Sequence, residues 1–473
     1  MVAATELKSL NSLPWGRTVV LLLSDLATVL AAFLLAVWLR YLWDRSLLWG
    51  LYLDLWPALV LFPVVFALAG LYGVGVSPPE ELRRLTYSTS LIFVILGAAT
   101  FVYKAGADYS RGAFIFAWAL ALLLIPLSRA LARELWARQP WWGAPVLVLG
   151  ASKTGEEVVR VLQKQPGLGL RPVALLDDDP AKQGRLVEGV PVAGTLALAS
   201  EFSRSGIKHA IVAMPGVPRD QLLELLESHA AQFPRLILIP DLFGFSSLWV
   251  SSRDLGGVLG LEVRQNLLLV GPRLVKRVLD IAIISLFALP VALVMLLGAT
   301  MVRLGSSGPV FYVQERLGYD KRRFPVLKFR TMYGDGEERL QTLLQQNPKL
   351  REEYEQFHKL KEDPRVTQVG SFLRNSSLDE LPQVWNVLRG EMSLVGPRAY
   401  LPREMEKIGH KGSLIFRVLP GITGLWQVSG RNELSFAERV ALDSYYVRNW
   451  SVWLDLCILA RTVWVVIAGK GAY

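Results

Sequence analysis

Residues 278–302 read VLDIAIISLFALPVALVMLLGATMV, 25 residues with Pro290 at their centre. A straight helix of that length would run about 37 Å, enough to cross the hydrocarbon layer of a bilayer. A full crossing would place everything after Val302 across the membrane from everything before Val278. The flanks argue against it. Arg273, Lys276 and Arg277 precede the run, and Arg303 and Lys321-Arg322-Arg323 follow it, so both ends carry a cytoplasmic type of charge. Proline lacks an N–H, and its ring collides with the carbonyl four residues back. A central Pro therefore predicts a kinked, re-entrant helix that enters and leaves on one side, with a simple crossing as the competing reading.

Upstream, residues 144–265 alternate strand and helix patterns. Pro145–Leu149 is a short buried-strand run, followed by a glycine turn and a helix over Glu156–Lys164. Pro172–Leu176, Ala210–Ala213 and Leu236–Ile239 repeat the strand signal, which predicts a small parallel, Rossmann-like sheet. The turn Gly150-Ala151-Ser152-Lys153-Thr154-Gly155 keeps the outer glycines of G-x-G-x-x-G, but Ser152 replaces the one that lets a pyrophosphate approach. Asp177 lies beyond the usual spacing of a ribose-binding acid. A packing role for the turn is the expectation.

Further back, four apolar runs stand out: Val19–Leu39, Leu53–Leu71, Tyr87–Tyr103 and Ala113–Leu131. Each is near the roughly 20 residues of a membrane span, and Trp38, Tyr41, Trp43, Trp49, Tyr52, Trp56 and Tyr72 supply an interfacial belt. Lys8, Arg17, Arg83, Arg84, Arg129, Arg133 and Arg138 fall on one side of an even-pass arrangement, and Arg40, Arg45, Lys104 and Arg111 on the other. That bias puts both ends of a four-helix bundle in the cytoplasm. The whole composition agrees: 52% of the 473 residues are hydrophobic and 19% charged, against about 25% charged in soluble domains. The single cysteine, Cys457, excludes an intrachain disulfide and a cysteine-based zinc site. From residue 271 on there are 28 Lys/Arg and 20 Asp/Glu, so +8 of the formal +10 lies there. Such basicity suits a phosphate-rich substrate, an anionic membrane surface or a nucleic acid.

The C-terminal part holds short blocks dense in Arg, Gly and carboxylate. They are Lys328-Phe329-Arg330-Thr331-Met332, Asp363-Pro364-Arg365-Val366-Thr367 with Gly370–Arg374, Ser377-Leu378-Asp379-Glu380-Leu381-Pro382-Gln383, Met392–Arg398, Pro420–Arg431 and Asp443-Ser444-Tyr445-Tyr446. Alone, an Asp-Glu pair after Ser is ordinary helix-start chemistry. Together the blocks suggest a diphosphate site: guanidinium forks for oxygens, glycines for close approach, and a carboxylate pair for a cation or nucleophile.

From about Lys276 to Tyr473 the chain closely resembles the bacterial polyprenyl-phosphate hexose-1-phosphate transferases, the monotopic phosphoglycosyl transferase superfamily. The Ser-Leu-Asp-Glu-Leu-Pro-Gln and Gly-Ile-Thr-Gly-Leu-Trp-Gln-Val-Ser-Gly-Arg blocks and the terminal Gly-Ala-Tyr carry the resemblance. The full layout is similar to the long-form members, undecaprenyl-phosphate galactose-phosphotransferases foremost. It implies a membrane protein of α plus α/β class: a transmembrane bundle over residues 1–140, a Rossmann-like domain over 144–265, a re-entrant helix over 271–305 and a mostly helical catalytic domain over 306–473. The activity implied is transfer of hexose 1-phosphate from a UDP-sugar to undecaprenyl phosphate with release of UMP, starting an O-antigen, capsule or exopolysaccharide. Galactose is the first choice of sugar and glucose the alternative. The resemblance places the nucleophile on Asp379, Mg²⁺ on Asp379 and Glu380, further catalytic roles on Lys328 and Asp443, and phosphate or nucleotide contacts on Arg330, Arg374, Arg398, Gly421, Gly424 and Arg431. Family members commonly have Ser-Pro at the bend of the re-entrant helix; here it is Leu289-Pro290. Expected partners are the two substrates, inner-membrane lipid and a second copy of the chain, without nucleic acid, and both folded domains face the cytoplasm.

Two other classes fit the sequence less well. A membrane-anchored NAD-dependent dehydratase or epimerase needs a Tyr-x-x-x-Lys pair, and no Tyr lies between Tyr109 and Tyr312. A non-enzymatic transport or assembly protein should carry charged groups within its spans, where Asp25 is nearly the sole candidate.

Overall fold

The computed structural model describes residues 15–43, 56–102, 110–218, 232–239, 250–254, 259–263, 266–334, 365–430 and 434–467, with single positions at 45, 221, 225, 336, 340, 345 and 363. The chain divides into two compact units, Met1–Phe243 and Gly244–Tyr473.

The first unit begins with helices α1 (Gly16–Trp43), α2 (Leu61–Leu68, after a 3-10 turn at Trp56–Val60), α3 (Pro78–Val102) and α4 (Arg111–Trp136). Helix α1 buries Leu21, Asp25, Val29, Ala32 and Ala36, one stripe at helical spacing. Helix α4 buries Ala113, Ala117, Ala121, Ile125, Arg129 and Ala132, and the small residues let helix backbones approach closely. Leu23, Leu30, Leu34, Leu123, Leu127 and Leu131 point outward, the apolar surface a bilayer would cover. Among the described residues of this unit, α1 and α4 are long and apolar enough to cross a membrane. The second expected span, Leu53–Leu71, begins outside the described residues, and its described helix is short. The third starts earlier than its apolar run, at Pro78, with Glu80 and Glu81 in its first turn.

One buried ionic network ties these helices. Arg129, fully buried, donates to Asp25 at 2.8 and 2.6 Å, to Glu81 at 2.9 Å and to the Leu71 carbonyl at 3.0 Å. Tyr72 donates to Asp25 at 2.9 Å, and Arg133 pairs with Glu81. Every charge is paired, the condition under which buried ions are tolerated.

The α/β part has β1 (Ala144–Leu149), α5 (Lys153–Lys164), β2 (Leu170–Leu176), β3 (Leu186–Val187), β4 (Val190–Gly194), α6 (Ala199–Arg204), β5 (His209–Val212) and β6 (Arg235–Leu238). The sheet order is β3-β4-β2-β1-β5-β6, parallel except for the β3–β4 hairpin. Setting β3 aside, that is the doubly wound order. Leu147 and Leu149 enter one core with Phe202 and Phe233, while Val146 and Val148 enter the other with Val159 and Leu162. A run apolar on both faces of a strand is what a sheet covered on both sides requires.

The glycine turn is a packing device here. Gly150 sits at φ +105°, and a Cβ on it would lie 2.4 Å from Met214 Cγ; one on Gly155 would lie 2.1 Å from the Gly150 carbonyl oxygen. Asp177 accepts the Ala151 N–H at 2.8 Å and a Lys182 Nζ bond at 3.1 Å.

The second unit opens with the antiparallel hairpin β7 (Val250–Asp254) and β8 (Leu259–Val263), then α7 (Val270–Leu286) and α8 (Ala288–Gly305). The long apolar run is thus broken at Phe287 (φ −101°, ψ 13°), not at Pro290 itself. The reason is local. Pro290 can neither donate to the Leu286 carbonyl nor fit its ring beside it, so α7 ends at Leu286 and Pro290 falls in the first turn of α8, where an N–H is not needed. Leu274, Val275, Val278, Leu289, Leu293 and Leu297 are exposed, while Lys276, Asp280, Gly298 and Val302 are buried. Helix α8, 18 residues long, also meets the length and apolarity of a membrane span.

Strands β9 (Phe311–Leu317) and β10 (Arg323–Phe329) form an antiparallel ribbon. Helix α9 (Gln368–Asn375), the 3-10 turn Leu378–Gln383 and α10 (Val384–Arg389) lead to the short parallel pair β11 (Ser393–Val395) and β12 (Gly421–Thr423). Helices α11 (Phe436–Asn449) and α12 (Val452–Ile467) complete the core with Tyr446, Val447, Trp450, Leu454 and Ile458. Two buried carboxylates anchor α7 to this core. Asp455 accepts from Lys276 at 2.6 Å, Tyr446 at 2.7 Å and Trp450 at 3.0 Å, and Asp280 accepts the Ser393 hydroxyl at 2.7 Å.

Candidate active site

Strand β10 carries Lys328 toward the Asp379-Glu380 pair. Its continuation, Thr331, accepts the Thr367 N–H at 3.0 Å, and Gly370 packs so closely that a Cβ would lie 2.0 Å from the Thr331 carbonyl oxygen. Thr367 caps α9 by accepting the Gly370 N–H at 2.8 Å. After α9 the chain reverses at Ser377, whose φ of +57° lies in the left-handed region and costs a non-glycine residue about 1 kcal/mol. That reversal starts the 3-10 turn with Asp379 and Glu380 in its first turn.

Lys328 Nζ donates to Glu380 Oε1 at 2.5 Å. Asp379 has no ion pair among the described residues. Burial lifts its carboxyl above the usual range, the like charge of Glu380 adds to this, Lys328 and Arg374 pull the other way, and the group is pushed up to about 6. Arg374 donates through Nε to Thr331 Oγ1 at 2.9 Å, which keeps its guanidinium beside Asp379.

A second cluster surrounds Asp443, fully buried on α11. Its Oδ2 accepts the Arg398 N–H at 3.0 Å and the Tyr400 hydroxyl at 2.7 Å, while Oδ1 has no partner. Burial pushes this carboxyl up to about 7 against those two bonds and the Arg398 charge. The guanidinium carbons of Arg398 and Arg439 lie 5.4 and 5.1 Å from the Trp426 ring centroid. Arg398 Nε and Trp426 Nε1 are also buried and unpartnered. Arg316 feels both clusters. Burial and the neighbouring Arg398 push it down to about 10, with Glu404 and Glu380 opposing. Crowded guanidiniums with spare donors are suited to an anion.

The structure therefore brings Lys328, Arg374, Asp379 and Glu380 into one group, and Arg398 and Asp443 into another facing Arg316. Other expected site residues have protein partners instead. Arg330 donates to the Ser307 carbonyl at 2.6 Å and to the Ser306 carbonyl and hydroxyl at 2.8 Å each, bracing the end of α8. At Gly421 and Gly424 the close approach is backbone on backbone, since added Cβ atoms would lie 2.0 and 2.4 Å from Gly396 backbone atoms. Arg431 lies outside the described residues. Sequence reasoning passed over Arg316, Tyr400 and Arg439 and took Trp426 only as part of a motif; their spacing in the chain carries no signal.

Mg²⁺ takes one or two carboxylates and completes its shell with phosphates and water. Asp379 and Glu380 supply such a pair, and among the described residues no group of three or more His, Cys, Asp or Glu could cage a metal. Burial does most to raise Asp379, and the like charge of Glu380 adds a repulsion of the kind a divalent cation relieves, so the donor set fits.

Residues 271–469 match the bacterial sugar transferase family and residues 67–240 a CoA-binding domain family. The chain is 36% identical to the UDP-galactose-lipid carrier transferase of Erwinia amylovora, over 83% of this chain and 82% of that protein. It is 33% identical to the undecaprenyl-phosphate galactose phosphotransferase of Salmonella typhimurium, with coverage of 83% and 82%. It is 32% identical to the UDP-glucose:undecaprenyl-phosphate glucose-1-phosphate transferase of Escherichia coli, over 89% of this chain and 90% of that protein.

Proposed function

The chain belongs to the bacterial sugar transferase family, and from that premise we propose that it transfers galactose 1-phosphate from UDP-galactose to undecaprenyl phosphate, releasing UMP, as the first step of a polysaccharide. The observation that carries the reading is Asp379: a raised carboxylate with no ion pair among the described residues, beside a Glu380 held by Lys328. An oxygen of ionised Asp379 attacks the β-phosphorus. The new O–P bond forms as the bond from that phosphorus to the bridging oxygen breaks, and UMP leaves with the electron pair. An oxygen of undecaprenyl phosphate then attacks the same phosphorus, and Asp379 departs as carboxylate. Two transfers at one phosphorus divide one difficult step into two easier ones.

Lys328 fixes Glu380, and Arg374, Arg398 and Arg316 face the diphosphate oxygens. Asp443 holds the backbone of Arg398, and so the placement of that guanidinium. Mg²⁺ on Asp379 and Glu380 would neutralise charge between the carboxylate and the diphosphate. The broken helix α7–α8 enters and leaves on the cytoplasmic face of the inner membrane, which keeps the site beside nucleotide sugars and the lipid phosphate together.

Both galactose-named relatives and the glucose-named relative support the reaction class, and galactose is chosen on the first two. The test is UMP release from a panel of UDP-sugars with undecaprenyl phosphate present. UDP-galactose should give the highest kcat/KM. A higher value with UDP-glucose would overturn the sugar assignment, and no UMP release from any sugar would overturn the reaction.

A further inference from the structure

In the first unit, three buried N–H donors without acceptors gather where α1 begins and α4 ends. They are Arg17 Nε, Trp142 Nε1 and one terminal guanidinium nitrogen of Arg171. Arg17 is 6% exposed and Trp142 1%. Buried donors are almost always paired in folded proteins, and leaving one unpaired costs about 1–3 kcal/mol. Two such donors in contact, with a third on the adjoining loop, imply a partner that supplies oxygen atoms.

The arrangement is built. The Arg17 guanidinium carbon lies 5.8 Å from the Trp142 ring centroid. It rests against Gly169, where the left-handed φ of +71° and the missing Cβ leave room; a Cβ there would stand 3.1 Å from it. The Gly169 carbonyl accepts the Ala144 N–H at 2.9 Å, which holds the loops 140–143 and 166–171 together, and Arg171 donates its other terminal nitrogen to the Pro140 carbonyl at 3.2 Å. The nearby acids are already engaged: Asp25 by Arg129 and Tyr72, Glu81 by Arg129 and Arg133. Among the described residues Arg17 has no carboxylate partner. Trp15 and Trp136 are exposed, and the tilted rings of Trp136, Trp141 and Trp142 follow one another at 5.8 and 6.0 Å, an aromatic collar at the level of the helix ends.

The geometry points to an anion site for a phosphate group, formed by Arg17, Trp142 and Arg171 at the membrane surface. A phosphate offers several acceptors to guanidinium and indole donors at once, and basic pockets beside membrane helices bind anionic headgroups. The site lies at the strand starts of the sheet, the edge opposite Gly150 and Asp177, and is independent of the transferase reading.

The test uses the full-length protein, delipidated in neutral detergent. Its unfolding midpoint is followed against added phosphatidylglycerol, phosphatidylcholine or inorganic phosphate, for wild type, Arg17→Gln, Trp142→Phe and the surface control Arg160→Gln. Stabilisation by phosphatidylglycerol should exceed that by phosphatidylcholine. Arg17→Gln should weaken apparent affinity about tenfold, the loss of one charge-assisted hydrogen bond, and Trp142→Phe severalfold, with Arg160→Gln unchanged. Protection by inorganic phosphate alone, lost in the same two variants, would assign the site to a soluble phosphate. If Arg17→Gln does not fold, Trp142→Phe decides, since it removes the indole donor and keeps an aromatic ring. Equal response in all four proteins, or none to any of the three probes, would overturn the site and leave water as the partner of these donors.

Discussion

Asp443→Asn should flatten the dependence of stability on pH. The carboxyl is fully buried and is raised from 3.8 to about 7, so the native state binds its proton more tightly than the unfolded chain does. A carboxyl raised in this way stabilises fully below the unfolded value and loses that contribution as pH climbs through the folded one. Between pH 5 and pH 8 the unfolded group is ionised throughout while the native group goes from protonated to ionised. Linkage then gives a loss of about 2.5 kcal/mol across that interval. At roughly 2–4 °C per kcal/mol for a unit of this size, the midpoint should fall about 5–10 °C more in wild type than in Asp443→Asn. Asparagine keeps the shape and one oxygen for the Arg398 N–H and Tyr400 hydroxyl, so the variant should fold. Thermal unfolding in detergent at pH 5, 6, 7 and 8, run in parallel on both proteins, isolates this group because other titrations cancel. Superimposable pH profiles would refute the reasoning. So would a wild type that gains stability relative to the variant as pH rises.

Asp379→Asn should abolish UMP release and leave no phosphosugar adduct detectable by intact-mass measurement after mixing with UDP-galactose alone. In wild type, adduct formation should rise with pH through about 6, as Asp379 must be ionised to attack, and Glu380→Gln should move this limb to lower pH by removing a like charge; an unmoved limb contradicts the coupling. Arg129→Met strands Asp25 and Glu81 without their central cation and should destabilise by about 3–5 kcal/mol, read as a lowered midpoint of the full-length protein. Cysteines placed near Arg273 and near Arg316, in a Cys457→Ser background, should both escape a membrane-impermeant periplasmic reagent; labelling of the second alone would mean a full crossing.

Local rules made the central strand readable. The run Pro145–Leu149 is apolar at every position, and the structure puts alternate residues into two separate cores. Pro290 was readable for the same reason, since its effect on the carbonyl four residues back is built into its ring. Asp25 was seen alone because its partner Arg129 stands 104 residues further on. The Arg398–Trp426–Arg439 stack joins segments with no shared periodicity, so nothing in the chain announces it. Arg330, Gly421 and Gly424 show the converse: residue types suited to phosphate are here also engaged in bracing α8 and seating one backbone segment against another.

The break at Phe287 also bears on the order of events during synthesis. Residues 270–305 leave the ribosome before three of the groups that later hold them: Phe329 against Gly298, Ser393 on Asp280 and Asp455 on Lys276. A bend that depended on those contacts would not yet exist while the apolar run meets the bilayer. This one depends on a single covalent ring, so the insertion machinery is presented from the start with two helical segments rather than one continuous rod. The later contacts then meet a break that the local sequence already dictates.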